Sequence, residues 1–273
     1  MLHVWQITQM QNIQLELVVT SLDEVTRQLP DGYYSTFRTF DGGMRVLGLS
    51  AHLQRLYQPV RTPEVSESFL RRQLFTVLER HRPDEARVRV IMTKQGQVYI
   101  ASESLKPLGR DVYETGVRVQ TTELQRDHPR LKSTTFISRS DLERKQIAQE
   151  GIFEALLVKN GKILEGMTSN FFYVKNQTVF TAQEDILLGI TRQTVIDVAR
   201  GRGVQVNYEA LPRNQTAAID EAFITSSSRG IVPLIQIEEV TIGEGRPGPI
   251  TKELSAAYDQ YVMENAEKIY PDE

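Results

Sequence analysis

The sequence predicts an α+β fold in two domains, and three observations predict it. Hairpin signals and helices are interspersed instead of alternating strand by helix, which argues against a doubly wound parallel sheet. Asp-Gly and Asn-Gly turns stand between apolar runs, the short-range signature of antiparallel strands. Finally, the stretch 104–116 carries Pro107, Gly109 and Gly116 and no strong period. It reads as a linker between an amino-terminal α/β domain, residues 1–112, and a carboxy-terminal domain, residues 113–273.

The elements follow in order. Residues 2–20 alternate apolar and polar side chains with breaks, which suits paired strands. Ser21 with Glu24 forms a capping box that opens a helix through Leu29, and Pro30-Asp31-Gly32 ends it. Residues 32–40, rich in aromatic and β-branched side chains, predict a strand, and Asp41-Gly42-Gly43 predicts a hairpin with residues 44–49. Two helices are expected over 49–60 and 66–80. Residues 86–93 and 96–105 alternate and form a second hairpin.

Beyond the linker come a strand over 117–124, an irregular stretch over 128–135, and a helix through 140–151 that Gly151 caps. Two hairpins follow, one turning at Lys159-Asn160-Gly161 and one at Lys175-Asn176-Gln177. A helix is expected over 190–203, ending at Gly201 or Gly203. Residues 221–228 read as a strand running into a serine-rich turn, residues 231–237 as a strand, and Thr251 to Ile269 as a last amphipathic helix. The sequence contains no internal repeat and no low-complexity segment.

Composition excludes several function classes. Lys and Arg total 32 against 35 Asp and Glu in 273 residues, a net charge of −3, so no basic excess points to a nucleic-acid partner. The absence of cysteine removes disulfides, zinc ribbons, cysteine nucleophiles and iron–sulfur clusters. His3, His52, His81 and His128 are too scattered to suggest a metal cluster. No apolar run approaches the roughly 18 residues that span a bilayer, and the first residues lack a basic stretch followed by an apolar one. The expectation is a cytoplasmic protein with neither membrane nor nucleic-acid partners, and the two sequons at Asn176 and Asn214 are discounted.

Three features could build a site for an anionic, nitrogen-containing ligand. Gly189 precedes a helix start at Ile190-Thr191-Arg192, where free N–H groups and the helix dipole favour a phosphate. Taken alone, such a glycine is most often an ordinary N-cap. Thr225-Ser226-Ser227-Ser228 follows an apolar strand and offers hydroxyls to the same anion, although a solvated turn has the same composition. Lys132 precedes a helix, and Glu165 ends a hairpin strand. A lysine can form a Schiff base and a carboxylate can hold a pyridine nitrogen protonated. Any one Lys–Glu pair in so charged a chain is ordinarily two surface residues.

The combination is more specific. Lys132, then E-G-M-T-S-N-F-F over 165–172, then L-L-G-I-T-R over 187–192, then the strand into T-S-S-S resembles the class IV aminotransferases. G-Y-Y-S-T-F-R-T-F over 32–40 resembles that family's Y-E-x-x-R strand, and H-L-Q-R-L over 52–56 one of its helices. The resemblance runs from about residue 30 to 265 and implies the two-domain fold type IV, like that of D-amino acid aminotransferase, with pyridoxal 5′-phosphate between the domains.

By that resemblance Lys132 forms the Schiff base with the cofactor and shuttles the proton, and Glu165 pairs with the pyridine nitrogen. Arg55, the amides of Ile190 and Thr191, the Thr191 hydroxyl and Ser227 hold the phosphate, and Asn170 braces the loop. Tyr34, Arg38 and Ser228 lie on the substrate side. The implied activity moves an amino group between a branched-chain L- or D-amino acid and a 2-oxo acid, in a homodimer. The alternative within the family is an aminodeoxychorismate lyase releasing pyruvate and 4-aminobenzoate. A non-catalytic binding protein on the same scaffold would be expected to have lost the lysine or the glutamate, and both are present.

The sequence departs from the family at three places. Residue 35 is serine where many relatives have glutamate, the residues after Lys132 are S-T-T-F, and the 94–97 turn is only K-Q-G-Q. The short turn leaves no counterpart for the carboxylate-binding arginine of some relatives, for which Lys94 and Arg229 are the candidates.

Overall fold

The computed structural model describes residues 2–270. The chain folds into two compact units. The first comprises Met1–Lys106, Leu131–Arg139 and Glu264–Glu273, and the second Pro107–Arg130 and Ser140–Met263, so no single cut in the chain separates them.

In the first unit the strands are β1 (Leu2–Ile7), β2 (Asn12–Leu15), β3 (Gly32–Arg38), β4 (Arg45–Val46), β5 (Ala86–Thr93) and β6 (Val98–Ser104). The helices are α1 (Leu22–Gln28), α2 (Leu49–Tyr57) and α3 (Glu67–Leu78). Five strands form an antiparallel sheet in the order β2-β1-β6-β5-β3. Both faces are covered. Phe37, Val88, Val90 and Met92 meet Leu49, Leu53, Leu70 and Leu74 of α2 and α3. Tyr34, Ile91 and Tyr99 meet Leu22 and Val25 of α1, together with Ile137. Alternation along β3 and β5 thus sends successive residues into two different cores. The serine half of the capping box is present, with the Ser21 hydroxyl accepting from Glu24 N–H, while the Glu24 carboxylate accepts from the N–H and hydroxyl of Thr20, one residue earlier.

The turn expected at Asp41-Gly42-Gly43 forms, with Phe40 N–H donating to Arg45 O at 2.8 Å and Arg45 N–H to Phe40 O at 3.1 Å, but the hairpin extends no further. β3 pairs with β5 along its whole length, and β4 has two residues and pairs with Glu267–Lys268. Residues 44–48 are too few to run beside β3 before α2 begins. The free edge of β3 is met instead by residues 132–134. Tyr34 N–H donates to Lys132 O at 3.0 Å, and Thr134 N–H to Gly32 O at 2.9 Å. This pairing puts Lys132 in the first unit.

The second unit contains α4 (Arg110–Thr115), β7 (Val117–Thr122) and, from Ser140 on, α5 (Thr135–Gln149). The stretch expected to be a linker therefore carries a short helix. β8 (Glu154–Lys159), β9 (Lys162–Gly166), β10 (Asn170–Lys175) and β11 (Thr178–Thr181) follow. Then come α6 (Ile190–Gly201), β12 (Val206–Tyr208), β13 (Leu211–Pro212), β14 (Glu221–Ser226), β15 (Gly230–Ile237), β16 (Val240–Thr241) and α7 (Pro249–Asn265). The β8–β9 hairpin turns where expected, with Asn160 at φ 52° and Gly161 at φ 71°, the positive values that a two-residue turn matched to strand twist requires.

Pairings run β10-β14-β15-β7-β8-β9 and return to β10, so six strands form a closed ring. β7 is parallel to both β15 and β8. Phe171 and Tyr173 of β10 join Val119, Leu156, Ile224 and Leu234 in one core cluster, while Phe172 stacks on Phe223 at 4.9 Å between centroids. The pair that closes the ring is Asn170 opposite Glu165.

Candidate functional site

In the second unit the site is organised by Glu165, which is buried at 1% exposure. Its Oε1 accepts from Arg126 Nε at 2.8 Å. Its Oε2 accepts from Asn170 Nδ2 at 3.2 Å and from the backbone N–H of Leu187 at 3.1 Å. A carboxylate so far from water needs a cation or several donors to stay ionised, and here it has both. Arg126 is 4% exposed and also donates to Met167 O.

Asn170 links this carboxylate to the loop before α6. Its Nδ2 also donates to Leu187 O at 2.7 Å. Its Oδ1 lies 2.1 Å from where a side chain at Gly189 would begin, so only glycine fits there. Gly189 provides no side-chain cap for α6, and the first N–H groups of that helix are without one. The Thr191 hydroxyl donates to Ser227 Oγ at 3.2 Å, which joins the helix start to the serine turn. Arg192, whose purpose in L-L-G-I-T-R is not evident from the sequence, donates to Ala182 O and Gln183 Oε1 and so clamps the same loop. Burial lowers its pKa.

A second network backs the 165–170 turn. Glu154, buried, accepts from the Thr168 N–H and hydroxyl and from Ser169 Oγ. Arg229 donates to Glu154 Oε2 at 3.3 Å, to Thr168 Oγ1 at 2.6 Å and to Ser226 Oγ at 3.1 Å. Arg229 is therefore a brace between two turns, already paired with a carboxylate. Ser228 lies beside it in the partly buried turn between β14 and β15.

In the first unit the cluster comprises Lys132, Tyr34, Ser35, His52 and Arg55. Lys132 Nζ stands 4.9 Å from the centroid of the Tyr34 ring, and Arg89 approaches that ring at 4.8 Å. His52 and Arg55, three apart on α2, share a helix face directed at β3. Arg55 Nη2 donates to Ser35 Oγ at 2.9 Å, and His52 Nδ1 lies 2.8 Å from the same oxygen. Arg55 Nε and His52 Nε2 are buried without a partner among the described residues. Burial, then the charges of Arg55 and Lys132, hold His52 well below its ordinary 6.5. Burial lowers Arg55 to about 10, opposed by Tyr34.

Arg38, expected on the substrate side, is not brought into this cluster. Its guanidinium pairs with Glu85 and lies 4.8 Å from the Phe40 ring centroid. Lys94 is exposed in the turn between β5 and β6, with its N–H donating to Asp31 O. Among the expected residues, the structure thus gathers Glu165 with Asn170, Thr191 with Ser227, and Lys132 with Tyr34 and Arg55. Arg126, Ser35, His52 and Glu154 were missed. For His52 a signal existed, its place one turn before Arg55, whereas Arg126 and Glu154 have no local mark.

No group of three His, Asp or Glu among the described residues could hold a metal ion. No helix among them is long and apolar enough to cross a membrane. Within the second unit, the uncapped start of α6 and the buried Glu165, joined through one loop, fit an organic phosphate with a ring nitrogen.

Comparison with known proteins gives a consistent picture. A family model described as amino-transferase class IV matches residues 32–237. The D-alanine aminotransferase of Bacillus licheniformis is 26% identical over 265 residues, 88% of this chain and 91% of that protein. The branched-chain-amino-acid aminotransferase of Pseudomonas aeruginosa is 29% identical over 167 residues, 59% of this chain and 54% of that protein. Among solved structures, a T.th. branched-chain amino acid aminotransferase with pyridoxamine 5′-phosphate superposes with a TM-score of 0.82 at 20% identity, covering 98% of both chains.

Proposed function

The chain belongs to the class IV aminotransferases and is a transaminase, and from that premise we propose that it works with pyridoxal 5′-phosphate held by the residues described above. The observation that carries this reading is the 182–189 loop. Its Leu187 N–H donates to Glu165, and its Gly189 opens α6. One segment therefore serves both a carboxylate suited to a pyridinium nitrogen and amides suited to a phosphate.

In this reading Arg55, the Ile190 and Thr191 amides, the Thr191 hydroxyl and Ser227 bind the phosphate. Glu165, kept ionised by Arg126, accepts the hydrogen bond of the ring nitrogen. When bound, the cofactor supplies the carbonyl carbon that takes up the amino group and a ring that accepts electrons. Lys132 holds the cofactor and, as general base, moves the proton at the substrate Cα. Tyr34 and Ser228 border the substrate, Asn170 orients Glu165 and the loop, and the working form is a homodimer.

The amino donor is an amino acid with an apolar side chain and the acceptor a 2-oxo acid. The relatives are named for D-alanine and for branched-chain amino acids. Arg38, Arg89 and Arg229, the arginines beside these clusters that could attract an acidic side chain, already pair with Glu85, Asp23 and Glu154. The lyase reading is set aside, since both relatives are named aminotransferases.

The test is visible absorption of the protein after addition of pyridoxal 5′-phosphate, followed by a panel of L- and D-amino acids. A band that forms and is then bleached faster by alanine, valine, leucine or isoleucine of one configuration than by glutamate or lysine is expected. Lys132→Ala abolishes both changes. A band that no amino acid bleaches, or one bleached fastest by an acidic amino acid, overturns the proposed donor class.

A further inference from the structure

The inference concerns Ser35 and rests on the reading of Arg55 as a phosphate contact. Ser35 is fully buried in β3, between two side chains that can carry positive charge. A hydroxyl has one proton to give and two lone pairs. Arg55, which can only donate, occupies a lone pair of Ser35 Oγ. The Ser35 proton has one acceptor among the described residues, His52 Nδ1 at 2.8 Å. The imidazole that accepts it is uncharged, in keeping with the burial and the neighbouring Arg55 and Lys132 that disfavour its cation. Its other nitrogen then carries the proton and is the one left without a partner beside the Phe37 ring.

The hydrogen bonds therefore run in one direction, from Arg55 to Ser35 to His52. Among the described residues no carboxylate pairs with Arg55, and its Nε is buried with its proton unmet. Arg89, Arg126 and Arg229 are each oriented by a carboxylate, which offsets their charge. Arg55 is oriented by a neutral acceptor and keeps its charge whole.

We propose that Ser35 and His52 are positioning residues for the cofactor phosphate, a neutral relay that aims the Arg55 guanidinium without cancelling its charge. The phosphate dianion thus meets an arginine prealigned by the relay, with a donor still open.

The experiment compares binding of pyridoxal 5′-phosphate and of pyridoxal, which lacks the phosphate, to the full-length apoprotein by visible absorption. In Ser35→Ala the phosphorylated form is expected to bind about tenfold more weakly, as befits loss of a hydrogen bond to a charged group, while pyridoxal is unaffected. His52→Phe, which removes the acceptor but keeps an aromatic ring, should behave like Ser35→Ala. Arg55→Gln is the reference variant. If Arg55→Gln loses the preference for the phosphorylated form and Ser35→Ala retains it in full, the positioning role is overturned and the reading of Arg55 stands. If Arg55→Gln itself retains the preference, both fall. Equal weakening of both ligands in Ser35→Ala also overturns the relay, because a general disturbance of the unit spares neither.

Discussion

The Arg126–Glu165 pair is held where water cannot screen it, with side chains 4% and 1% exposed. Removing one member of such a pair strands the other charge, and this costs about 3–5 kcal/mol. Arg126→Met should therefore lower the thermal midpoint by several degrees in the absence of any cofactor, whereas Arg126→Lys, which restores a charge without the planar geometry, should recover part of it. Differential scanning calorimetry of the apoproteins measures both. His52 gives a pH prediction. Its ring is uncharged in the folded protein, while in the unfolded chain it takes a proton near 6.5. Below 6.5 the unfolded chain binds the extra proton, so stability falls as pH drops, by up to about 1.4 kcal/mol per pH unit for this histidine, and the contribution vanishes above 6.5. Urea denaturation at pH 7.5 and 5.5 should show a smaller loss in His52→Gln than in the parent. His3 and His81, lowered by burial as well, contribute the same sign in both proteins.

At the level of the element, the loop from Ala182 to Gly189 depends on close approach as much as on hydrogen bonds. Gly189→Ala would drive a methyl into Asn170 Oδ1 and so displace the side chain that bridges Glu165 and Leu187. We expect cofactor affinity to fall by about tenfold or more while helix content is retained, since position 189 is the extended N-cap outside the helical turns of α6, and titration alongside circular dichroism checks this. The sequence announced this loop, because glycine, threonine and a helix period are local signals, and the β8–β9 hairpin was legible for the same reason. The partner of β3 was not. Asp41-Gly42-Gly43 promises a turn, yet pairing with β5 depends on residues far along the chain and leaves no local mark. The same holds for Arg126, whose carboxylate is 39 residues away, and for Glu154, whose purpose appears only once the ring of strands has closed. Ser35 was visible as a departure from the family, but its function required seeing what stood on either side of it.

For the whole molecule, the first unit is assembled from three stretches of chain. Residues 132–134 supply hydrogen bonds to the edge of β3, Glu267–Lys268 pairs with β4, and Ile269 lies fully buried in the cluster with Leu49 and Leu74. A fragment ending at Lys106 lacks all three. It is expected to remain without cooperative thermal unfolding, and adding residues 131–139 alone should not rescue it. Circular dichroism melts of the two fragments decide this. The late arrival of Ile269 also sets an order of events during synthesis. A ribosome that has finished the five-stranded sheet of the first unit still has the whole of the second unit to translate before the isoleucine that fills the first core emerges. The amino-terminal half must wait, incomplete and available to chaperones, until nearly all of these 273 residues have been made.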